Sequence, residues 1–481
     1  MRLTVLRNKG FKGAAKYYLK KIRSTDDTEE ILVSEKKYTI LLLTNRDSDN
    51  LGDQVIEACD IGLISAVMSN LNIKKRDYEI ISREAAIVSR KYISTKDPAL
   101  LNTARKLIEI SDLIVFGGAP MFNYLYQFFY ERTAVILELA KEYNKPVIFS
   151  AIGVEGYHEK NKKCQRLKKT LNFDIVKQIT TRDEIDLLKK YKENEQMRIG
   201  KVSDPAVFSS AIFKRFAVKK RTFSLDFRKK VGIFILRANG FEDNKFDFSR
   251  EDAAKFWVEL IEQLKDRGYK YELLTSGHFG DEAFLDYLIR NYNVEARRCV
   301  FNMNTPEKLI RKIASCDAVV SCRLHPSIIS FALDVPSLGV VWNTKVKGFY
   351  ESVGYGDRVV NVEDINAEAV ADRIEEVMKQ GVVKDETYLM SIYQSLFNVM
   401  KEIFCPQGNK AEPYTYAELM RYIPQYEGTT RQEMEDKLKR KFRRTYQTYN
   451  KRFDRNYELQ QKVEELKAEI KRLKESGAGQ S

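Results

Sequence analysis

The chain has 481 residues, of which 43% are hydrophobic and 31% charged, with 23 glycines and 10 prolines. This length predicts two domains with additional elements, and the composition excludes a disordered, collagen-like or membrane-embedded chain. The formal net charge is +14, but residues 24–430 carry no net charge. The excess lies at the two ends, so we expect no nucleic-acid partner bound in a groove of the core.

Two basic segments carry the excess charge. Residues 1–23 contain eight Lys or Arg and no acidic residue, and residues 431–455 have a net charge of +6. Such segments are typical of docking to an acidic surface, with anionic lipid or an acidic partner as the candidates. A pair of solvated basic helices is the structural alternative.

The six cysteines are scattered without C-x-x-C spacing, which indicates neither a zinc site nor a disulfide framework. The basic N-terminus has no continuous apolar segment after it, and no run approaches the length of a membrane span. We therefore expect a cytoplasmic protein that can also attach peripherally to the inner face of the membrane through its basic ends.

From residue 37 onward, short apolar segments alternate with segments of helical length. The first apolar segments are YTILLLT (38–44), DLIVFGG (112–118), PVIFSAIG (146–153) and IVKQITTRD (175–183), with helices expected from Asp53 and at 127–143. This alternation predicts parallel βαβ units. We assign residues 1–36 to a basic N-terminal segment and residues 37–213 to a first Rossmann-like domain.

The alternation restarts after an irregular stretch near residues 214–230. Strands are expected at VGIFILR (231–237), YKYELLT (269–275), CVF (299–301), DAVVSC (317–322) and PSLGVVW (336–342), and helices at 251–267, 281–290, 306–314, 326–334 and 364–380. Residues 228–384 therefore form a second Rossmann-like domain, which faces the first across a cleft. Residues 385–428 are assigned to a helical segment that packs back onto the first domain.

The last segment, residues 429–476, is predicted to be a basic helix and coiled coil. Its apolar residues follow the alternating spacings of an a/d seam: Leu459, Val463, Leu466, Ile470 and Leu473. A homo-oligomer formed through this segment is the expectation. A single amphipathic helix that lies on the protein's own body or on lipid is the alternative.

In open α/β sheets, ligands bind beyond the carboxyl ends of the strands. After the first strand, Asn50, Gly52 and Asp53 lie in a polar loop that leads into a helix. Gly52 permits a close approach of a ligand to the backbone, whereas capping of the helix by Asn50 or Asp53 is an equally good structural explanation. Gly117 and Gly118 end a later strand and also suit a binding cleft. The chain has no dinucleotide-binding fingerprint and no P-loop.

The second domain carries the sharper signals. Arg237 and Arg323 each end an apolar strand, and His325 directly precedes Pro326, a residue suited to the first turn of a helix. Guanidinium groups beside a helix N-terminus favour an anion. The spacing therefore predicts an anion pocket that contains a titratable proton donor. His278 also follows a strand and could face the cleft.

These residues belong to a set of motifs that resembles a known family. The motifs are NLGD (50–53), DLIVFGG (112–118), SAIG (150–153), TTRD (180–183), SDPAVF (203–208), SCRLH (321–325) and VPSLGVVWNTKVKGF (335–349). In this order and spacing they resemble the polysaccharide pyruvyl transferases over residues 37–380. The resemblance implies a GT-B-like arrangement of the two domains. It also implies transfer of a pyruvyl group from phosphoenolpyruvate to a sugar, commonly as a cyclic ketal.

The resemblance also assigns substrate-binding residues. Arg323, Leu324 and His325 match the donor-binding triplet of the family, and Arg237 matches its arginine at the first strand of the second domain. Lys345 lies in the downstream motif. The chain departs from the family on the acceptor side, with Ala119 in place of a common glycine and with Trp342 or Asn343 at the position where tyrosine is common.

The implied chemistry fits these residues. Phosphoenolpyruvate carries a carboxylate and a phosphate, which two arginines can bind in bidentate fashion. His325, titrating near neutral pH, suits the role of general acid, and Asp53 or Glu155 suits that of the base. No metal ion or cofactor is required, and the sequence shows no metal-ligand cluster.

The expected acceptor is a sugar of a polysaccharide or of a polyprenyl-linked glycan for a surface polymer. Two alternatives stay open at this stage. One is a nucleotide-sugar-dependent glycosyltransferase with the same two-domain plan, because a shared fold does not fix the substrate. The other is a non-catalytic scaffold that acts through its coiled coil and keeps a degenerate site.

Overall fold

The computed structural model describes residues 36–124, 129–218, 227–237 and 239–477. Except for Lys36, the basic N-terminal segment at residues 1–36 lies outside the described residues.

The first domain is built on six parallel strands in the order β2-β1-β3-β4-β5-β6. They are β1 (Tyr38–Thr44), β2 (Tyr78–Glu84), β3 (Leu113–Gly117), β4 (Val147–Ile152), β5 (Val176–Thr181) and β6 (Arg198–Lys201). The helices are α1 (Leu51–Asn70), α2 (Arg90–Thr95), α3 (Asn102–Glu109), α4 (Phe129–Glu142), α5 (Lys162–Leu171), α6 (Ile185–Lys189) and α7 (Ser209–Ile212). The central strands β3 and β4 are buried throughout and uniformly apolar apart from Ser150, as expected for a sheet covered on both faces.

The second domain contains five parallel strands in the order β11-β10-β9-β7-β8. They are β7 (Lys230–Phe234), β8 (Lys270–Leu274), β9 (Ala318–Ser321), β10 (Ser337–Val341) and β11 (Val359–Asn361). The helices are α8 (Arg250–Asp266), α9 (Phe279–Tyr292), α10 (Pro306–Ala314), α11 (Leu324–Ala332), α12 (Thr344–Ser352) and α13 (Ala367–Gln380). These two parallel sheets confirm the predicted two-domain α/β class.

Two helices follow the second domain and return to the first. They are α14 (Glu386–Phe404) and α15 (Tyr416–Tyr422). The Ser203 hydroxyl donates a hydrogen bond of 2.8 Å to the Leu389 carbonyl, and the Gln178 amide donates one of 2.8 Å to the Ser395 hydroxyl. Helix α14 therefore packs against the first domain.

The chain then forms a single helix of 47 residues, α16 (Arg431–Gly477). Its first part contacts both domains: the Lys437 amine donates to the Gln54 side chain at 2.8 Å, and the Lys441 amine donates to the Glu282 carboxylate at 2.8 Å. The apolar side chains of its second part are exposed. The predicted helix is present, and its pairing into a coiled coil stays a prediction.

The two domains also touch directly. The Leu51 N–H of the first domain donates a hydrogen bond of 2.8 Å to the Ser276 carbonyl of the second. One apolar cluster continues across the boundary and includes Ile212 and Phe213 on one side and Ile328 and Ile329 on the other. These contacts hold the carboxyl ends of the two sheets on either side of a cleft.

The strand order determines where the cleft is deepest. The order reverses between β1 and β3 in the first sheet and between β7 and β9 in the second. Ligands of open α/β sheets bind outside the carboxyl ends of the strands at such points. The strand order therefore predicts a ligand site near the loops that follow β1, β7 and β9.

Two sequence-based predictions of secondary structure need correction. CVF (299–301) is not a strand, because Cys299 forms only an isolated bridge with Leu273. The helix after β1 begins at Leu51 rather than Asp53, because Asn50 is its N-cap and accepts a hydrogen bond from the Gly52 N–H at 3.2 Å. No helix in the described ranges combines the length and the apolar character that a membrane span requires.

Candidate active site

A cavity of about 830 Å³ lies between the carboxyl ends of the two sheets. Charged side chains from both domains line it. The first domain contributes Glu155, Arg182, Asp183, Glu184 and Asp204, and the second contributes Arg237, Asp243 and Lys345. A volume of this size fits a small-molecule substrate together with part of a second one.

Arg182 and Asp204 form a buried ion pair in the wall of this cavity. The distance from the Arg182 Nη1 to the Asp204 Oδ2 is 2.5 Å, and the two side chains are 6% and 4% exposed. Burial lowers the pKa of Arg182, but the negative charges of Asp204 and Asp183 outweigh this effect and raise it. Arg182 is therefore a permanent cation in the cavity wall.

A second ion pair crosses the cleft. The Lys345 amine at the start of α12 contacts the Glu155 carboxylate, which follows β4 in the first domain. The other Glu155 oxygen accepts a hydrogen bond from Asn123. Both members are only partly buried, so an anionic ligand can replace Glu155 at Lys345 with little loss.

The two predicted arginines of the second domain are held by one buried carboxylate. Asp281, in the first turn of α9, accepts a hydrogen bond of 2.9 Å from the Arg237 backbone N–H. It also accepts two from the Arg323 guanidinium, one of them at 2.9 Å from Nε. Asp281 thus joins the loops that follow β7 and β9. The Arg237 guanidinium itself pairs with Asp243 at 2.5 Å and reaches the cavity.

Trp342 separates Arg323 from the open space. The indole lines the cavity, its N–H donates to the Cys322 carbonyl, and the Arg323 guanidinium lies 5.9 Å from its ring centroid. A guanidinium beside an indole makes a favourable cation–π contact. Arg323 is therefore fixed behind the wall by Asp281 and Trp342.

The imidazole of His325 is buried against the backbone of Gly52. A Cβ atom at position 52 would overlap the His325 ring and its Cβ, so only glycine fits there. The His325 Nε2 is buried and has no hydrogen-bond partner among the described residues. Burial, together with the charges of Arg182, Lys345 and Arg323, holds the pKa of His325 well below its ordinary value.

This pKa corrects one expectation. The sequence suggested a histidine that titrates near neutral pH, whereas burial first, and the nearby cations second, lower the pKa of His325 and favour the neutral imidazole. A neutral imidazole with a free Nε2 accepts a proton before it can donate one.

Asp53 is also buried, and residues of the loop that precedes α1 hold its carboxylate in place. Its carboxylate accepts hydrogen bonds from the Ser48 hydroxyl at 2.6 Å and the Asn45 amide at 2.8 Å. Burial raises its pKa, although both hydrogen bonds and the charges of Arg182 and Lys345 act in the opposite direction. Asp53 and His325 thus experience the same two cations.

Of the remaining predicted residues, all but Leu324 lie outside the lining of the cavity. Asn50 caps α1, which was the structural alternative at that position. Gly117 leaves room for the buried carboxylate of Asp60, and Gly118 packs against Ile56 with a positive φ of 42°. Leu324, by contrast, lines the cavity. The assignment of these residues to substrate binding stays a prediction.

Three residues that shape the site were not predicted from the sequence. Arg182 ends a strand just as Arg237 and Arg323 do, so the same signal was present in TTRD. Its partner Asp204 lies in SDPAVF, 22 residues further along. Asp281 carried no signal, because its role depends on contact with an arginine 42 residues away. Among the described residues, no group of three or more His, Cys, Asp or Glu side chains could hold a metal ion.

Comparison with known proteins gives two results. The model of the polysaccharide pyruvyl transferase family matches residues 36–344. Comparison with curated protein sequences finds no match.

Several solved structures are similar in fold. A UDP-GlcNAc 2-epimerase from Methanocaldococcus jannaschii has 13% identity and a TM-score of 0.47, over 76% of this chain and 99% of that one. A UDP-GlcNAc 2-epimerase from Neisseria meningitidis has 11% identity and a TM-score of 0.44, over 77% and 99%. An E. coli heptosyltransferase with ADP has 16% identity and a TM-score of 0.36, over 70% and 99%.

The family match spans well over half of the chain, from β1 to the start of α12, and includes the loops after β4, β5, β7 and β10 that contribute to the cavity. The protein therefore belongs to the polysaccharide pyruvyl transferase family.

Proposed function

We propose that the protein transfers a pyruvyl group from phosphoenolpyruvate to a sugar and that the product is a cyclic ketal bridging two hydroxyls. One observation carries this proposal. Arg182, Arg237 and Lys345 meet in one cavity, and the charges of two of them are close enough to His325 to lower its pKa. A dianionic or trianionic donor with a site for protonation matches such a cavity.

Binding of the donor would exchange ion-pair partners. Each cation of the wall has a carboxylate partner in the structure: Asp204 for Arg182, Asp243 for Arg237 and Glu155 for Lys345. The pairs of Arg237 and Lys345 are partly exposed, so the carboxylate and phosphate of the donor can take over these two cations. The buried Arg182–Asp204 pair stays intact, because separating it would leave an uncompensated charge.

The proposed reaction proceeds through four bond changes. C3 of phosphoenolpyruvate gains a proton, so that C2 acquires oxocarbenium character. The oxygen of the first sugar hydroxyl bonds to C2 and loses its proton. The C2–O bond to phosphate then breaks, and the second hydroxyl bonds to C2 and closes the ketal. One hydroxyl proton balances the proton gained at C3, and the other leaves with phosphate.

His325 is the proposed acid, and we expect binding of the donor to raise its pKa. Of the three cations that lower its pKa, Lys345 is the one that the donor would engage, and the negative charge that phosphoenolpyruvate adds there raises the pKa when the donor binds. The imidazole then takes a proton and passes it to C3. Asp53 is the proposed base, because a carboxylate with a raised pKa accepts a hydroxyl proton more readily near neutral pH. Glu155 is the alternative base, although Lys345 engages it.

The proposed acceptor is a sugar of a polysaccharide or of a lipid-linked glycan used for a surface polymer. Helix α16 supports this extension, because residues 431–455 carry a net charge of +6 and exposed aromatic side chains. Such a segment would hold the protein at an anionic membrane surface, where a lipid-linked acceptor resides.

Calorimetric titration with phosphoenolpyruvate tests the donor. We expect saturable binding that is weakened about tenfold or more in Lys345→Gln, because a charge-assisted contact is lost. Lys347→Gln is the matched control: it lies on the same helix, its ion pair among the described residues is with Glu351 at 3.8 Å, and it does not line the cavity. Binding of a nucleotide sugar with no binding of phosphoenolpyruvate would instead identify a glycosyltransferase. Absence of both would leave the scaffold alternative.

A further inference from the structure

A second cavity, of about 580 Å³, lies beside the first and is closed by the C-terminal helix. One wall is α16, whose Arg444, Thr448 and Arg452 lie four residues apart and so share a helix face. The other wall is the second domain, through α9 and the loop after β7. Arg237 and Asp243 line both cavities, so the two spaces adjoin.

This second cavity is strongly cationic. Five guanidinium groups line it, against the carboxylates of Asp49 and Asp243: Arg237, Arg250, Arg290, Arg444 and Arg452. Arg444 pairs with Asp49 at 2.9 Å, and Arg290 pairs with Asp286 at 2.7 Å. Arg452 makes no ion pair with another described residue. The paired arginines are 40% or more exposed, so their ion pairs are weak and an incoming phosphate can replace the carboxylates.

The cavity also has an aromatic wall. Phe279 is 39% exposed, and the Arg250 guanidinium lies 4.4 Å from the ring centroid of Tyr287. Guanidinium groups match phosphate oxygens in bidentate geometry, and rings pack against an apolar or planar group attached to the phosphate. The volume exceeds what an inorganic anion requires. A phosphate ester or diphosphate ester with an attached organic group fits both features.

We propose that this cavity is a second anion site that binds the phosphate or diphosphate group of the acceptor, while the acceptor's sugar reaches the first cavity past Arg237. This inference rests on the proposed function for the role of the first cavity. Arg444 and Arg452 lie beyond residue 344, where the family match ends. The site therefore depends on a helix that the matched family region does not contain, which would make it specific to chains with this extension.

Calorimetric titration with inorganic pyrophosphate at 0.15 M salt tests the site. The double variant Arg290→Gln/Arg452→Gln should bind pyrophosphate about tenfold or more weakly, because two charge-assisted contacts are lost. Both side chains are exposed, so the variant is expected to fold. The control Arg297→Gln/Arg455→Gln removes two exposed arginines outside the cavity. Equal weakening in both variants, or no binding to the wild type, would overturn the site.

Phosphoenolpyruvate separates this inference from the proposed function. If the two sites are distinct, saturating phosphoenolpyruvate weakens pyrophosphate binding only partly, through the shared Arg237, and Lys345→Gln weakens only the binding of phosphoenolpyruvate. Complete mutual displacement would overturn the second site. If the wild type binds pyrophosphate but not phosphoenolpyruvate, the proposed donor is wrong and the second anion site is still supported.

Competition identifies the source of the phosphate group. Displacement of pyrophosphate by UDP-N-acetylglucosamine would indicate an acceptor bound as a nucleotide sugar. Displacement by farnesyl diphosphate alone would indicate an isoprenoid diphosphate. If neither compound competes, the cavity binds only inorganic anions, and its assignment to the acceptor is wrong.

Discussion

Gly52 determines where the imidazole of His325 can lie. A side chain at position 52 would overlap the ring and the Cβ of His325, which cannot move without shifting α11. Gly52→Ala should therefore displace the imidazole, abolish turnover and lower the free energy of unfolding by about 1–3 kcal/mol, as overpacking does. Urea unfolding and an assay of phosphate release measure the two effects.

Gly200→Ala is the matched control for this substitution. A Cβ at Gly200 meets only the Thr180 methyl group at 3.9 Å, an ordinary contact on the edge strand β6. It should leave both stability and turnover close to those of the wild type. Full activity in Gly52→Ala would show that the position of His325 is not set by this contact.

The pKa of His325 predicts coupling between donor binding and protonation. The free imidazole is neutral near pH 7, because burial and three cations lower its pKa. Binding of an anionic donor at Lys345 adds negative charge to the site, so the wild type should take up more protons on binding than His325→Gln does. Calorimetry of phosphoenolpyruvate binding in buffers with different ionisation enthalpies measures this difference. Identical proton uptake in the two proteins would contradict the proposed acid.

The buried carboxyl of Asp60 leads to a separate prediction about how stability depends on pH. Its carboxyl is buried beneath Gly117, and neither oxygen has a hydrogen-bond partner among the described residues. Burial and the nearby charge of Asp204 raise its pKa well above the ordinary 3.8. The folded state therefore holds a proton that the unfolded state releases, so Asp60 lowers stability increasingly as the pH rises above about 4 toward the folded-state pKa.

Asp60→Asn removes this dependence, because the amide is nearly isosteric and does not ionise. The variant should match the wild type in urea unfolding near pH 4 and exceed it in stability at pH 8. Asp372→Asn, at a side chain that is 67% exposed, controls for the loss of a carboxylate. Parallel pH profiles for Asp60→Asn and the wild type would show that Asp60 is not the group concerned.

The sequence located individual site residues only where the signal was local. Arg237, Arg323 and His325 were predicted because each lies at or just beyond the end of an apolar run, and that pattern does not depend on the rest of the chain. The bidentate contact between Arg323 and Asp281 depends on how two loops meet, which no local pattern encodes. The lowered pKa of His325 follows from such contacts. The direction of this pKa shift was for that reason not predicted.

At the scale of elements, burial decided which strands could be predicted. The interior strands β1, β3, β4, β9 and β10 are continuous apolar runs, because helices cover both faces of each sheet. The edge strand β8 was predicted, whereas the other three edge strands, β2, β6 and β11, were missed. Their exposure permits mixed sequences such as YEIISRE and RIGK, and β11 has three residues. Neither length nor periodicity distinguishes such segments from loops.

Helix α16 connects the two domains, which predicts a measurable effect on local stability. Lys441 holds Glu282 of the second domain, and Arg444 contacts Asp49 of the first. The side chains of the Lys441 pair are both 15% exposed, so this contact is screened less than a surface pair. Lys441→Gln/Arg444→Gln should accelerate amide hydrogen exchange in the first half of α16.

Hydrogen exchange followed by mass spectrometry checks this prediction. Lys451→Gln/Arg455→Gln removes two exposed charges from the same helix and should leave exchange unchanged. If both variants exchange alike, the attachment of α16 depends on its apolar contacts rather than on these ion pairs.

At the scale of the whole molecule, the distribution of charge differs between the body of the protein and helix α16. The body, residues 24–430, has no net charge, and the three cations that line the first cavity, Arg182, Arg237 and Lys345, each have a carboxylate partner. Helix α16 has a different character, with basic residues in its first half and an exposed apolar stripe in its second. The body thus contains the proposed chemistry, and the helix is the proposed surface for association.

The apolar stripe of α16 predicts self-association. Leu459, Val463, Leu466 and Ile470 are each about half exposed and follow coiled-coil spacing, so a second copy of the helix can bury them. The wild type should sediment as a multiple of 56.0 kDa, and Leu466→Lys/Ile470→Lys should reduce it to a monomer. Gln461→Lys adds a charge on the opposite face and should leave the mass unchanged. A monomeric wild type would instead assign the stripe to a lipid surface, and the same seam variants should then lose binding to anionic vesicles.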